Sequence, residues 1–222
     1  LISQEGVSPW NIMAVTFTNK AAREMRQRVD DIVGFGAENI WVSTFHSTCV
    51  RILRRFIESI GYNRNFTIYD TDDQRSLMKD IIKQLNYDSR MLNERKILSI
   101  ISSQKDSLIT PDMYLKEASG DYFSEKIAKA YSTYQERLKK NNALDFDDLI
   151  MKTVELFRHD GQALEYYRNR FHYLMVDEYQ DTNTAQFELL HLLANHTNEY
   201  GEIENNICVV GDDDQSIYKF RG

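Results

Sequence analysis

The 222 residues are 42% hydrophobic and 27% charged, ordinary values for a folded chain that exclude an intrinsically disordered one. No run approaches the roughly 18 apolar residues of a spanning helix, and two distant cysteines, Cys49 and Cys208, exclude a disulfide framework or a C-x-x-C zinc site and suit a reducing cytoplasm. A net charge of −7 does not point to nucleic acid, yet it is uneven: residues 143–222 hold 16 acids against 6 bases, whereas residues 1–66 hold 6 against 8, so one acidic region does not exclude DNA on another face.

Asn11 to Thr16 is an apolar run that suits a strand. Phe17-Thr18-Asn19-Lys20 then turns the chain into a helix over 21–33, whose Ala22, Met25, Val29 and Ile32 or Val33 recur at helical spacing. Thr18 or Asn19 suits the cap of that helix, and free backbone N–H groups there favour a phosphate. Phe17, at a strand tip, is placed to stack on an unpaired base. A turn at 34–38 leads to a short strand at 40–44, then Phe45-His46-Ser47, then a helix from Thr48 to about Ile60 closed by Gly61. His46 has no acid or nucleophile nearby to form a triad, so no bond-making chemistry is expected of it.

From Thr67 to about Asn141 the apolar residues keep helical spacing, with helix starts at Asp70-Thr71 and at Thr110-Pro111-Asp112. An all-helical stretch between α/β segments is expected to be an inserted subdomain, which divides the chain into 1–66, 67–142 and 143–222. In Leu144-Asp145-Phe146-Asp147-Asp148-Leu149, Asp145 suits the cap of a helix from Phe146 to Phe157, with two further acids in its first turn.

Tyr173-Leu174-Met175-Val176 is a four-residue apolar run that breaks into Asp177-Glu178, as expected of a buried strand in a parallel sheet with its acids at the carboxyl end. One carboxylate there can hold a hydrated magnesium ion while the other accepts a proton from water attacking a phosphate. Acids before a helix are also ordinary caps, and the dipeptide alone leaves both readings open. A helix over 184–195 and a polar loop over 198–206 come next. Then a second run of the same design, Ile207-Cys208-Val209-Val210, breaks into Gly211-Asp212-Asp213-Asp214-Gln215. Capping does not easily account for that pattern twice. The Gln215 amide can both donate and accept, which suits a sensor of a terminal phosphate, and Tyr218, Phe220 and Arg221 suit base stacking and a phosphate contact.

V-D-E-Y-Q-D-T-N followed by V-V-G-D-D-D-Q-S-I-Y-K-F-R-G closely resembles the second and third motifs of superfamily 1A DNA helicases of the UvrD/Rep type. A-V-T-F-T-N-K-A-A-R-E-M, V-S-T-F-H-S and L-D-F-D-D-L are similar to further motifs of that family. The resemblance implies a RecA-like (P-loop NTPase) α/β fold with a parallel sheet and an inserted helical subdomain that meets duplex DNA. It implies an ATP- and Mg2+-dependent enzyme moving 3′ to 5′ on single-stranded DNA. Asp177 would hold the metal, Glu178 would be the base, and Gln215 would touch the γ-phosphate. Phe17, Thr18, Asn19, His46, Ser47, Phe146, Tyr218, Phe220 and Arg221 would contact DNA. Partners would be single-stranded DNA, the duplex junction, ATP, and repair or replication proteins.

No Gly-Lys-Ser or Gly-Lys-Thr phosphate loop occurs in the sequence, and it opens at Leu1. The expectation is an interior piece of a helicase, without the strand that leads into that loop and inactive by itself. Three alternatives stay open: the helicase subunit of a recombination helicase-nuclease, a nuclease using the acids to hold two metals, and a DNA-binding or protein-interaction module whose ATP site has decayed.

Overall fold

The protein, seen in a computed structural model, is described over residues 1–197, 203–204, 206–212 and 214. A short helix α1 (Ile2–Glu5) precedes β1 (Ile12–Thr16), α2 (Asn19–Val33), β2 (Trp41–Thr44) and α3 (Phe45–Phe56). A helical layer comes after them: β3 (Thr67–Ile68), α4 (Thr71–Gln84), α5 (Glu94–Asp106), α6 (Pro111–Glu117), α7 (Tyr122–Lys140) and β4 (Ala143–Leu144). The chain then runs through α8 (Phe146–His159), α9 (Gly161–Arg170), β5 (Tyr173–Val176), α10 (Thr184–Ala194), β6 (His196–Thr197), β7 (Ile203–Glu204) and β8 (Ile207–Val209).

The main sheet is parallel, in the order β2-β1-β5-β8. β1 is buried along its whole length, as a central strand covered on both faces must be. β5 differs from the run expected of it, because Leu174 and Val176 are buried but Tyr173 and Met175 only half so. β8 differs more: among the described residues it is the last strand on its side of the sheet, and its apolar residues are exposed. The chain leaves β1 towards β2 on one side and returns to β5 on the other, so the order reverses between β1 and β5. Such a switch point opens a crevice at the carboxyl ends of the strands.

Local signals account for most element ends. Thr18 accepts a hydrogen bond from Ala21 N (3.1 Å) and is the cap of α2, whose first residue is Asn19. The stripe of α2 is half-buried and uses Val33; Ile32 points to solvent. Thr44 caps α3, so the helix begins at Phe45, three residues before its expected start, and His46 and Ser47 sit in its first turn. Threonine at the end of a strand closes one element and opens the next, which leaves no room for a connecting loop. Part of the polar segment expected as loop at 198–206 is strand, since Ile203–Glu204 pairs antiparallel with His196–Thr197.

Two apolar clusters form. One joins β1, β5, α3, α8, α9 and α10 around Trp41, Phe45, Phe157 and Tyr167; the other joins α4, α5 and α7 around Met78, Ile97, Tyr131 and Tyr134. Thr67 and Ile68 pair in parallel with Ala143 and Leu144, so the helical stretch departs and returns at adjacent points.

A buried ion pair ties the two clusters together. Lys105, 1% exposed, lies 2.6 Å from Asp145 Oδ2 and 2.9 Å from Asp148 Oδ1. Tyr134 Oη donates to Asp145 (3.0 Å) and Gln135 Nε2 to Asp148 (3.0 Å), while the two aspartates form the capping box of α8. Burial works against the ammonium of Lys105, but the two carboxylates outweigh it and raise its pKa. Burial and the neighbouring Asp148 push Asp145 up to about 6 against the pull of Lys105. For Asp148 burial is outweighed by Lys105, which holds it below the usual carboxylate range. Removing the ammonium leaves two carboxylates sealed from water, so Lys105→Met is expected to destabilise the fold by roughly 3–5 kcal/mol. Urea denaturation at pH 7 measures this, and the same substitution in an Asp145→Asn, Asp148→Asn background is expected to cost much less.

Candidate functional site

The register of the sheet brings the ends of three strands together. Asp177 N donates to Val15 O (3.0 Å), placing Asp177 beside Thr16 at the mouth of the crevice, and Val210 N donates to Val176 O (2.8 Å), placing the acid turn after β8 next to it. Asp177 is half-buried and Glu178 exposed. Glu178 is in the left-handed conformation at φ 55°, ψ 42°, which costs a side chain such as glutamate about 1 kcal/mol. That conformation breaks β5 sharply and starts the 3-10 turn Tyr179–Asp181.

Among the described residues, Thr16 Oγ1, Asp181 Oδ1 and Thr182 Oγ1 at this edge are buried without a protein hydrogen-bond partner. Buried polar atoms are normally satisfied, so a group here that can take up hydrogen bonds fits the edge. Among the described residues no three His, Cys, Asp or Glu side chains converge to form a metal cage. A single carboxylate such as Asp177 does suit magnesium, which keeps several waters and takes much of its ligation from substrate phosphates.

Beside this edge lies an open cleft of about 270 Å³ lined by Phe17, His46, Phe146, Asp147, Asp181 and Asn183, among others. Phe17 packs on Phe45 with ring centroids 5.2 Å apart. The His46 ring stacks on Phe146 at 3.8 Å and 20°, and Phe146 is still 53% exposed. The structure thus gathers Phe17, His46 and Phe146 into one cleft, with Thr18, Asn19 and Ser47 exposed at the helix starts after the two strands. Carboxylates at Asp106, Asp147 and Asp181 share the lining, which disfavours a phosphate inside the cleft. Gln215, Tyr218, Phe220 and Arg221 lie outside the described residues.

Sequence reasoning missed several residues that shape the site. Asn183 caps α10 in a capping box with Gln186 and donates to Asp106 Oδ1 (2.7 Å). The Asn-x-x-Gln spacing was a readable signal for that box. Nothing in the sequence foretold the partner on α5, nor that Lys105 beside it would be buried. Gln180 is also new: its Nε2 donates to Glu178 Oε2 (2.5 Å) and its Oε1 accepts from Asp212 N (3.1 Å).

Comparison with known proteins bears on what such a site does. The family model described as the UvrD/REP helicase N-terminal domain matches residues 1–222. The chain is 53% identical over all its residues to the ATP-dependent DNA helicase PcrA of Bacillus subtilis (strain 168), and 54% identical to that of Staphylococcus aureus (strain Mu50). The PcrA of Staphylococcus epidermidis is 53% identical. In each case the chain spans 29% of the relative's length.

The stacked histidine carries a pH dependence. Burial pulls the His46 pKa down from 6.5 to about 4, so the folded state holds the ring neutral. A depressed pKa means stability that is full above about 6.5 and is lost as pH falls towards 4. Discounted for partial exposure, the loss is on the order of 2 kcal/mol. Denaturation at pH 7 and pH 4.5 is expected to show a larger drop in the native chain than in His46→Leu.

Proposed function

The chain belongs to the UvrD/REP helicase family, through its N-terminal domain, and from that premise we propose that the protein is an ATP-dependent helicase moving 3′ to 5′ on single-stranded DNA and opening the duplex ahead of it. In this reading residues 1–66 and 143–222 are the two parts of one RecA-like motor domain, and 67–142 form a helical insertion that meets the duplex. The protein works in the cytoplasm on DNA undergoing repair or replication. The single observation that supports the reading best is the shared carboxyl edge of β1, β5 and β8, where the acids sit beside an aromatic cleft.

The described residues are given tasks that suit their positions, and Gln215, Tyr218, Phe220 and Arg221 theirs by motif alone. Asp177, half-buried at the switch point, would hold magnesium. When bound, that ion neutralises charge on the phosphates of ATP. Glu178, exposed at the left-handed turn that ends β5, would accept the proton of the attacking water. Thr16 Oγ1 and Thr182 Oγ1 lie buried beneath this edge. Gln215 would report the γ-phosphate. Phe17 and Phe146, with His46 behind the latter, would stack on bases. Thr18, Asn19 and Ser47 would face the backbone, with Tyr218, Phe220 and Arg221 joining them.

ATP hydrolysis of this kind needs a glycine-rich loop with its lysine, and the 222 residues contain none. The chain alone is therefore expected to show no DNA-stimulated ATPase activity. In the full-length protein, Glu178→Gln is expected to lower the DNA-stimulated rate by about 10²–10⁴-fold while ATP binding persists. A phosphate-release assay beside a nucleotide-binding titration checks both; an unchanged rate would refute the assignment of Glu178.

A further inference from the structure

Gln180 spans the two acid turns. Its Nε2 donates to Glu178 Oε2 at 2.5 Å and its Oε1 accepts from the backbone N–H of Asp212 at 3.1 Å. The orientation of this amide is set by its partners. A backbone N–H can only donate, so the atom facing Asp212 must be the oxygen, and the NH2 group is left facing the carboxylate. The two turns are also laced through the main chain, since Tyr179 N donates to Val210 O at 2.9 Å. Asp212 Oδ1 in turn accepts from Asp214 N at 3.0 Å, which carries the connection to the residue before Gln215.

Gly211 shows how close this contact is. Its backbone is not in the left-handed region, so conformational freedom does not require glycine there. A Cβ at that position, however, would lie 2.5 Å from Gln180 Oε1 and 3.3 Å from Gln180 N. The glycine is the space in which the Gln180 amide reaches Asp212.

We infer that Gln180 is a positioning residue that fixes the carboxylate of Glu178 and ties its location to the turn after β8. A displacement of Glu178 during hydrolysis then pulls on Asp212 through one side-chain amide, and from there on Asp214. The inference rests on the reading of Glu178 as the base. It also assigns a purpose to the costly backbone of Glu178: the left-handed turn aims its side chain back at Gln180 two residues on.

Amide hydrogen exchange in the 222-residue chain, monitored by NMR, reads the bond at Asp212 directly. The Val210 amide, which donates to Val176 O at 2.8 Å, reports whether the sheet stays intact. Gln180→Ala is expected to speed exchange at Asp212 about tenfold or more with Val210 unchanged. Gly211→Ala, which sets a methyl group against Gln180 Oε1, is expected to do the same from the other side and decides the matter should Gln180→Ala also release Val210. Unaltered exchange at Asp212 in both variants would overturn the inference. In the full-length protein, Gln180→Ala is expected to lower kcat about tenfold and leave KM for ATP within about twofold. If Glu178→Gln stops hydrolysis and Gln180→Ala leaves it untouched, the positioning role falls and the base stands. If Glu178→Gln has no effect, the base assignment falls, and the exchange data still judge the Gln180 bridge.

Discussion

The parallel register of β1, β5 and β8 is the constraint on which the rest depends. Val15 pairs with Val176, and Val176 with Val209, so β5 and β8 end level with each other and β1 runs one residue further, to Thr16. Because the chain reverses its order between β1 and β5, the residues just past each strand face the same crevice. Those residues are Phe17 after β1, Asp177-Glu178 after β5 and Val210 after β8, which leads into Gly211-Asp212. A one-residue slip of β5 would turn Leu174 and Val176 out of the core, which is why the apolar cluster beneath the sheet also fixes the position of the acids above it.

A second layer of control comes from the last turn of α5. Lys105 holds the capping box that begins α8, and Asp106 beside it accepts from Asn183, which begins α10. Phe146, the first residue of α8, owes its place against His46 to that cap. One helix of the inserted layer thus sets the starts of two helices that flank the cleft. The arrangement makes the insertion part of the site's foundation, anchored by charge at its base and by the paired entry and exit strands.

Much of this was legible in the sequence because the signals were local. Apolar runs marked β1, β5 and β8, the last two breaking into charge, and helical spacing marked the stretch that holds α4, α5 and α7. Caps at Asp70, Thr110 and Asp145 were readable for the same reason. The parts that were not legible depend on partners far along the chain. The spacing around Lys105 gives no hint of a buried charge, since its neutralising carboxylates lie 40 and more residues on. Gln180 looked like part of a polar run until Asp212, 32 residues away, gave it a partner. The exposed edge of β8 was hidden too, because an apolar run of four residues reads alike at the centre and at the rim of a sheet.

The central claim is that acids and aromatic rings share one edge, with the unpaired strand lying in the cleft beside Phe17, His46 and Phe146. Photocrosslinking an iodouracil-substituted single-stranded oligonucleotide to this chain, with adducts mapped by mass spectrometry, tests it most directly. The predicted result is adducts on Phe17, His46 or Phe146, lost when Phe146 is replaced by alanine. Adducts confined to aromatic residues exposed elsewhere, such as Trp10 or Tyr122, would contradict it.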